Sequence, residues 1–267
     1  MNPAGKSLRL TFVLLFSLLF QFQAQPQSRP AVQPAAAAAQ QPAKQPELKF
    51  AILGDTGTGG REQYEVGQKL TATRGTFPFE FVIMLGDNMY GGESARDFQT
   101  KFEKPYEALL STGIKFYASL GNHDVPERQI AYKPFNMGGQ RYYTFKPKDG
   151  VRFFALDSNY VDKKQLDWLE NELKNSGSEW KICFFHHPLY SSGEKHGPSL
   201  ELRKVLEPLL MKNGVDVVFA GHEHFSSASN RTMEFSTSFS ATAPSCAKAA
   251  LRRVKSRPKA LIQTMRS

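Results

Sequence analysis

Residues 215–224 read VDVVFAGHEH, an apolar run that ends in a Gly-His-x-His turn. A continuous apolar run bounded by glycine predicts a buried strand. Two imidazoles one residue apart at the end of a strand rarely both find structural partners, which favours a functional role for His222 and His224. The pattern stops after Phe225, where the sequence becomes small, polar and without period. This stretch therefore predicts a strand that delivers two histidines to a site.

Similar apolar runs recur along the preceding chain and alternate with amphipathic stretches. Six strands are predicted, at 48–54, 80–86, 114–121, 151–157, 180–186 and 215–221. Four helices are predicted, at 61–73, 95–111, 162–175 and 199–212. In the third helix Leu166, Leu169 and Leu173 share one face. The pattern predicts an α/β fold with buried, largely parallel strands, because nearly continuous apolar strands need cover on both faces.

Polar loops follow five of these strands, and the carboxyl ends of parallel strands meet at one crevice. The loops contain Gly54-Asp55-Thr56-Gly57, Gly86-Asp87-Asn88-Met89-Tyr90, Gly121-Asn122-His123-Asp124, His186-His187-Pro188 and Gly221-His222-Glu223-His224. Carboxylates, an amide, a phenol and imidazoles are ligands for transition metals. All six histidines lie in or just after these loops, the sixth being His196. Taken alone, Gly54-Asp55 is also compatible with an ordinary turn or helix cap.

In order, the motifs GDTG, GDNMY, GNHD, CFFH and GHEH resemble those of the calcineurin-like metallophosphoesterases. Within that superfamily they resemble the purple acid phosphatases, including the tartrate-resistant acid phosphatases. The resemblance covers about residues 48–225. It implies a four-layer αββα sandwich with a two-metal centre at one sheet edge, and leaves open whether the sandwich is complete at the C-terminus.

The resemblance also implies the ligands of the two metal ions. One ion would be held by Asp55, Asp87, Tyr90 and His224. The other would be held by Asp87, Asn122, His186 and His222, with Asp87 bridging both ions. A phenolate from Tyr90 suits trivalent iron, and the partner ion would be divalent iron, zinc or manganese.

Three further residues are expected to take part in catalysis. His123 would orient the phosphate or protonate the leaving alcohol, with Asp124 holding its tautomer. His196 begins a His-Gly-Pro sequence that family members often carry after the fourth motif. The position of His187 varies among relatives, and no role is assigned to it.

The implied activity is that of an acid phosphatase, which hydrolyses small phosphate monoesters with a metal-bound hydroxide. Two alternatives remain open at this point. One is a phosphodiesterase or nucleotidase on the same scaffold, with Tyr90 unligated and manganese or zinc in the site. The other is an inactive, truncated homologue.

The N-terminus has the features of a targeting sequence. Lys6 and Arg9 precede an apolar run at 10–20, and an A-x-A-like site ends at Ala24. Residues 1–24 are thus predicted to be a signal peptide of a secreted or periplasmic protein, with no stable membrane insertion after cleavage. The apolar run is 11 residues long, which falls short of the roughly 20 residues that span a bilayer. An N-terminal membrane anchor is the alternative. Residues 25–46 form a Pro/Ala/Gln-rich linker before the catalytic domain at 47–225.

Charge and cysteine content exclude several other classes of protein. The net charge of +9 comes from the chain ends, whereas residues 47–225 hold 22 basic and 24 acidic residues. A slightly acidic domain argues against a nucleic-acid partner. Cys183 and Cys246 are the only cysteines, so there is no disulfide framework, and Cys183 is expected to be a core thiol. No feature of the sequence specifies an oligomeric state.

The basic tail at 226–267 lacks strand alternation and is expected to be poorly ordered. We hypothesise a change of reading frame just after Phe225, with a natural flexible tail as the alternative. The coding DNA distinguishes the two, because another frame should then restore Gly-rich turns and aromatic strands.

Overall fold

The computed structural model describes residues 47–193, 196–223 and the backbone of 252–254. The predicted signal peptide, the linker, His224 and most of the basic tail lie outside these ranges. None of the helices in the described ranges is long and apolar enough to cross a membrane.

The first sheet has the strand order β3-β2-β1-β8. Strands β1 (Leu48–Leu53), β2 (Phe81–Leu85) and β3 (Lys115–Ser119) are parallel, as the sequence predicted. Strand β8 (Arg252–Val254) pairs antiparallel with β1. These three residues belong to the basic tail, in which the sequence showed no strand alternation. Strand β8 thereby covers the side of β1 that faces away from β2.

The second sheet has the order β4-β5-β6-β7. Strands β5 (Val151–Ala155), β6 (Trp180–Phe185) and β7 (Val217–Ala220) are the remaining predicted strands, and they run parallel. Strand β4 (Tyr143–Lys148) was not predicted; it pairs antiparallel with β5 at the sheet edge. All six predicted strands are therefore confirmed, and two edge strands, β4 and β8, are added.

The two sheets pack face to face through aromatic side chains. Phe50 of β1 stacks on Phe81 at 5.5 Å between ring centroids and meets the edge of Phe153 from the other sheet at 5.1 Å. Helix α1 (Arg61–Thr76) covers the outer face of the first sheet, and α5 (Lys163–Asn175) and α6 (Leu200–Lys212) cover the outer face of the second. The predicted four-layer αββα sandwich is confirmed for this part of the chain.

Three predicted helices are confirmed nearly residue for residue: α1 (Arg61–Thr76), α5 (Lys163–Asn175) and α6 (Leu200–Lys212). The helix predicted at 95–111 is instead divided into α2 (Ala95–Phe98), a π-helical turn (Gln99–Glu103) and α3 (Glu107–Leu110). Pro105 explains the division, because proline has no backbone N–H to donate and its ring excludes a continuous helix. A further short helix, α4 (Pro126–Gln129), follows the third motif.

Candidate metal centre

The predicted ligand loops converge at the carboxyl ends of β1, β2, β3, β6 and β7. Backbone hydrogen bonds join them in pairs: the Asp55 N–H donates to the Gly86 carbonyl at 3.1 Å, and the Gly221 N–H to the His186 carbonyl at 2.8 Å. Asp55, Asp87 and His186 are buried, whereas Asn122, His123 and His196 are exposed. The site thus has a buried floor of ligands and an open rim.

The backbone at three predicted ligands is left-handed. Asp55, Asp87 and His222 have φ values of 56°, 48° and 71°, a conformation that costs a non-glycine residue of order 1–3 kcal/mol. Such strain concentrates at functional sites. Gly121 allows the third loop to approach the second, because a Cβ at this position would lie 2.0 Å from the Asp87 nitrogen.

Four of the predicted ligands bring their donor atoms to one point. His186 Nε2 lies 3.0 Å from Asn122 Oδ1, 3.0 Å from His222 Nδ1 and 3.4 Å from Asp87 Oδ1. His186 Nδ1–H donates to the Leu85 carbonyl at 2.9 Å, which leaves the Nε2 lone pair directed into the site.

These spacings fit a bound transition metal. A cation that holds each donor at about 2.1 Å separates neighbouring donors by about 3.0 Å in octahedral and about 3.4 Å in tetrahedral geometry. The nitrogen and oxygen donors present are also those that such ions prefer.

A second group of ligands lies on the other side of Asp87. The Tyr90 hydroxyl donates to Asp87 Oδ2 at 3.1 Å, and the His222 N–H donates to Asp55 Oδ2 at 3.1 Å. Ligand atoms of Asp55, Asp87 and His186 all lie within 4.8 Å of one another. The two oxygens of Asp87 therefore face two different sets of donors, as a bridging carboxylate requires. The remaining predicted ligand, His224, lies outside the described residues.

The electrostatics of the site favour a cation. Burial, and next the charge of Asp87, raises the pKa of the Asp55 carboxyl well above its usual range. Burial and the charges of Asp55 and Asp87 also raise the pKa of the Tyr90 phenol. Burial and the neighbouring imidazoles of His186, His187 and His196 lower the pKa of His222 to about 3, so this ring is neutral and ready to ligate. Buried carboxylates close together need positive charge to stay ionised.

Asp124 takes a different place from the one predicted. Its carboxylate accepts hydrogen bonds from Gly121 N at 2.7 Å, Met89 N at 3.0 Å and Asn88 Nδ2 at 3.1 Å. Among the hydrogen bonds of the described residues, none joins it to the His123 ring. The expected role as the tautomer partner of His123 is corrected accordingly: Asp124 ties the second and third loops together. Burial raises its pKa to about 7.

The other two predicted catalytic residues lie at the rim. The His123 N–H donates to Asp87 Oδ1 at 3.0 Å, and the His123 ring lies 4.9 Å from the Tyr90 ring. The His196 ring lies 4.3 Å from the His222 ring. Both histidines therefore stand beside the ligand cluster.

Several residues that support the site were not predicted. Buried Glu223 accepts hydrogen bonds from the backbone N–H groups of His196 at 2.9 Å and Gly197 at 2.5 Å, which anchors the loop that carries His196. Buried Gln129 accepts a hydrogen bond from Asn88 Nδ2 with its side-chain oxygen Oε1, at 3.0 Å. No sequence pattern marks Gln129, whereas Glu223, as the central residue of GHEH, could have been singled out.

A four-layer αββα sandwich with this ligand cluster at its sheet edge defines a metallophosphoesterase architecture. The family model for calcineurin-like phosphoesterases matches residues 48–226, and the chain belongs to this family. It is 28% identical over 211 residues to purple acid phosphatase 17 of Arabidopsis thaliana, covering 66% of this chain and 62% of that protein. It is 30% identical over 218 residues to tartrate-resistant acid phosphatase type 5 of Mus musculus, covering 66% of each. The chain thus spans slightly less than two thirds of these relatives.

Solved structures share the fold. A dimetal phosphatase from Danio rerio superposes with a TM-score of 0.58 at 14% identity, over 72% of this chain and 87% of that one. The anchor protein in the inner membrane complex of Plasmodium superposes with a TM-score of 0.61 at 21% identity, over 72% and 71%.

Proposed function

We propose that the protein is an acid phosphatase of the purple type, which hydrolyses phosphate monoesters at a centre of two metal ions. The observation that carries the proposal is the Asp87 carboxylate, whose Oδ1 faces His186 at 3.4 Å and whose Oδ2 faces Tyr90 at 3.1 Å. One carboxylate between two donor sets is the arrangement that a pair of ions needs. The similarity to purple acid phosphatases supports the same activity.

Within this proposal, the ligand residues divide between the two ions. Asn122, His186 and His222 would hold the divalent ion, which we propose to be iron, zinc or manganese. Asp55, Tyr90 and His224 would hold trivalent iron, with Asp87 shared. A bound pair of such ions activates water and neutralises charge on the phosphoryl group.

The exposed histidines at the rim of the site, His123 and His196, would contact the substrate. His123 is anchored to Asp87 through its backbone and packed against Tyr90, so its ring can orient the phosphoryl group or give a proton to the leaving alcohol. His196, held by Glu223, would contact the substrate from the opposite loop. The substrate would be a small phosphate ester, and a nucleic acid is not expected.

Metal content, colour and substrate preference test the proposal together. The purified protein is expected to hold two metal ions per chain, one of them iron, and to absorb visible light through a tyrosinate-to-iron transition. The variant Tyr90→Phe should lose that absorption while keeping metal. Hydrolysis of para-nitrophenyl phosphate should exceed that of bis-para-nitrophenyl phosphate, with its maximum at acidic pH.

Two other outcomes point to the alternatives. A colourless protein that holds manganese or zinc and prefers the diester would identify a phosphodiesterase or nucleotidase. A protein that retains no metal would identify an inactive homologue. We also propose that the protein is secreted or periplasmic, which fractionation of the producing cells with an antibody would test.

A further inference from the structure

The imidazole of His187, to which the sequence assigned no role, lies beside the predicted metal ligands His186 and His222. It follows His186 at the end of β6 and is half-buried, whereas His186 is fully buried. Its ring centroid lies 4.7 Å from that of His222 and 5.0 Å from that of His186. One of its ring nitrogens is within 4.8 Å of ligand nitrogens of both. The ring thus borders the space that the reacting phosphoryl group would occupy.

Ser158 determines which nitrogen of His187 carries the hydrogen. The Ser158 hydroxyl accepts the His187 backbone N–H at 3.0 Å and lies 2.9 Å from His187 Nδ1. Ser158 is nearly buried, at 9% exposed, and the hydrogen bonds of its hydroxyl to other described residues all go to His187. A buried hydroxyl hydrogen needs an acceptor, so Ser158 donates to Nδ1. His187 Nε2 then carries the hydrogen of the neutral ring.

The turn that holds Ser158 is itself rigid. Asp157, which is buried, accepts hydrogen bonds from the Asn159 N–H at 3.0 Å and pairs with Arg141 at 3.1 Å. The Asp157 N–H donates to Gln165 Oε1 at 2.8 Å. These contacts anchor the residue before Ser158, and the Ser158 hydroxyl in turn contacts both the backbone N–H and the ring of His187.

We propose that His187 is a substrate-binding residue, whose Nε2–H donates a hydrogen bond to a non-bridging oxygen of the phosphoryl group. This inference rests on the proposed phosphatase function. Within the described residues, Nε2 has no hydrogen-bond partner, and a partly exposed donor beside a cation site is suited to an anion. The ring cannot act as a further metal ligand in this state, because Nδ1 is engaged by Ser158 and the protonated Nε2 has no lone pair to offer.

The proposal predicts how inorganic phosphate binds to the metal-loaded protein. In His187→Phe, which keeps the ring volume, calorimetric titration should show phosphate affinity lowered about tenfold or more, since a hydrogen bond to a charged group is lost. The metal content and the visible absorption should stay as in the wild type.

Two variants at position 158 distinguish the effect of losing the hydrogen bond between Ser158 and His187 from the effect of a change in packing. Ser158→Thr keeps the hydroxyl and should keep phosphate affinity within about twofold of the wild type. Ser158→Val adds the same bulk without a donor and should lower the affinity at least threefold relative to the threonine variant. This comparison remains decisive if His187→Phe does not fold.

Three results would overturn the proposal in distinguishable ways. Unchanged phosphate affinity in His187→Phe, or equal affinities of the threonine and valine variants, would refute the role of His187 while leaving the phosphatase function intact. Loss of one metal ion in His187→Phe would make His187 a ligand instead. Wild-type protein that neither binds phosphate nor hydrolyses phosphate esters would refute the proposed function itself.

Discussion

Lys101 supports the loop that carries Tyr90 through hydrogen bonds to the loop backbone. Lys101, in the π-helical turn, donates from its ammonium group to the Tyr90 carbonyl at 2.8 Å and the Gly92 carbonyl at 2.8 Å, and pairs with Asp97 at 2.9 Å. Its side chain is only 13% exposed. Lys101 thus joins Asp97, one turn earlier in the same segment, to the loop that carries Tyr90; π-helical turns such as this one often occur at functional sites.

We expect Lys101→Met to loosen the loop that presents Tyr90. Two backbone carbonyls and Asp97 lose a charged donor, which should lower the free energy of unfolding by about 2 kcal/mol. The visible absorption should shift or weaken, because the position of the phenol is no longer defined. Denaturant unfolding and an optical spectrum measure both effects. Lys104→Met, at an exposed position of the same segment, is the control; equal behaviour of the two variants would contradict the assignment.

The absence of a side chain at Gly121 permits the close approach of the second and third loops. In Gly121→Ala the new Cβ would meet Asp87 N at 2.0 Å and Asp87 Oδ1 at 2.2 Å, so the bridging carboxylate must move. The expected result is a loss of about 3 kcal/mol in stability together with less than two bound ions per chain. Thermal unfolding and elemental analysis test this expectation, which fails if the variant keeps a full metal complement.

At the scale of single residues, the motifs predicted which side chains meet at the site but not the residues that support them. Asp55, Asp87 and His222 are recognisable because glycine and a strand precede each one. Ser158 and Lys101 carry no such mark, since their roles depend on distances across the fold: Ser158 contacts His187, which is 29 residues away. The hydrogen-bond partners of Asp124 follow from the folded geometry and differ from the one expected.

At the scale of elements, the sequence predicted the strands that are buried on both faces but did not predict the half-buried edge strand β4. The parallel strands read as continuous apolar runs because both of their faces are covered. Strand β4 has the sequence YTFKPK and lies half-buried at a sheet edge, where Pro147 and the lysines are tolerated, so it has no such signal. Pro105 lies at the break in the helix predicted at 95–111. Because proline has no backbone N–H, this residue could have been used to predict two helical segments instead of one.

Two glycines of helix α1, Gly67 and Gly75, allow a test of how tightly this helix packs against Pro105. A Cβ on Gly67 would lie 1.9 Å from the Pro105 carbonyl oxygen, whereas a Cβ on Gly75 would meet nothing within 4 Å. Gly67→Ala should therefore destabilise the protein by about 2 kcal/mol through overpacking against Pro105. Gly75→Ala should stabilise it by about 0.5–1 kcal/mol, because alanine is the better helix former. Chemical unfolding of both variants measures the difference, and the packing account is wrong if both change stability in the same direction.

At the scale of the whole molecule, the site exists only when both sheets are assembled. Asp55, Asp87 and Asn122 come from loops of the first sheet, whereas His186 and His222 come from the second. The hydrogen bond from His186 to the Leu85 carbonyl joins the two sheets directly at the floor of the site. Metal binding should therefore stabilise the packing of one sheet on the other, since ions that bind only the folded state shift the folding equilibrium by mass action.

Removal of the metals should lower the melting temperature, and the loss should grow as pH rises from 4.5 to 7.5. The folded, metal-free protein has an Asp55 pKa well above the unfolded value, so at low pH it holds a proton that the ions must displace. This competing proton is lost as pH rises, and metal binding then stabilises the fold more. His222, whose pKa is about 3, is neutral throughout this range and adds nothing to the trend. Calorimetric melting of loaded and chelator-treated protein at several pH values measures the gap; a gap that stays constant or narrows with pH would show that Asp55 is not a ligand.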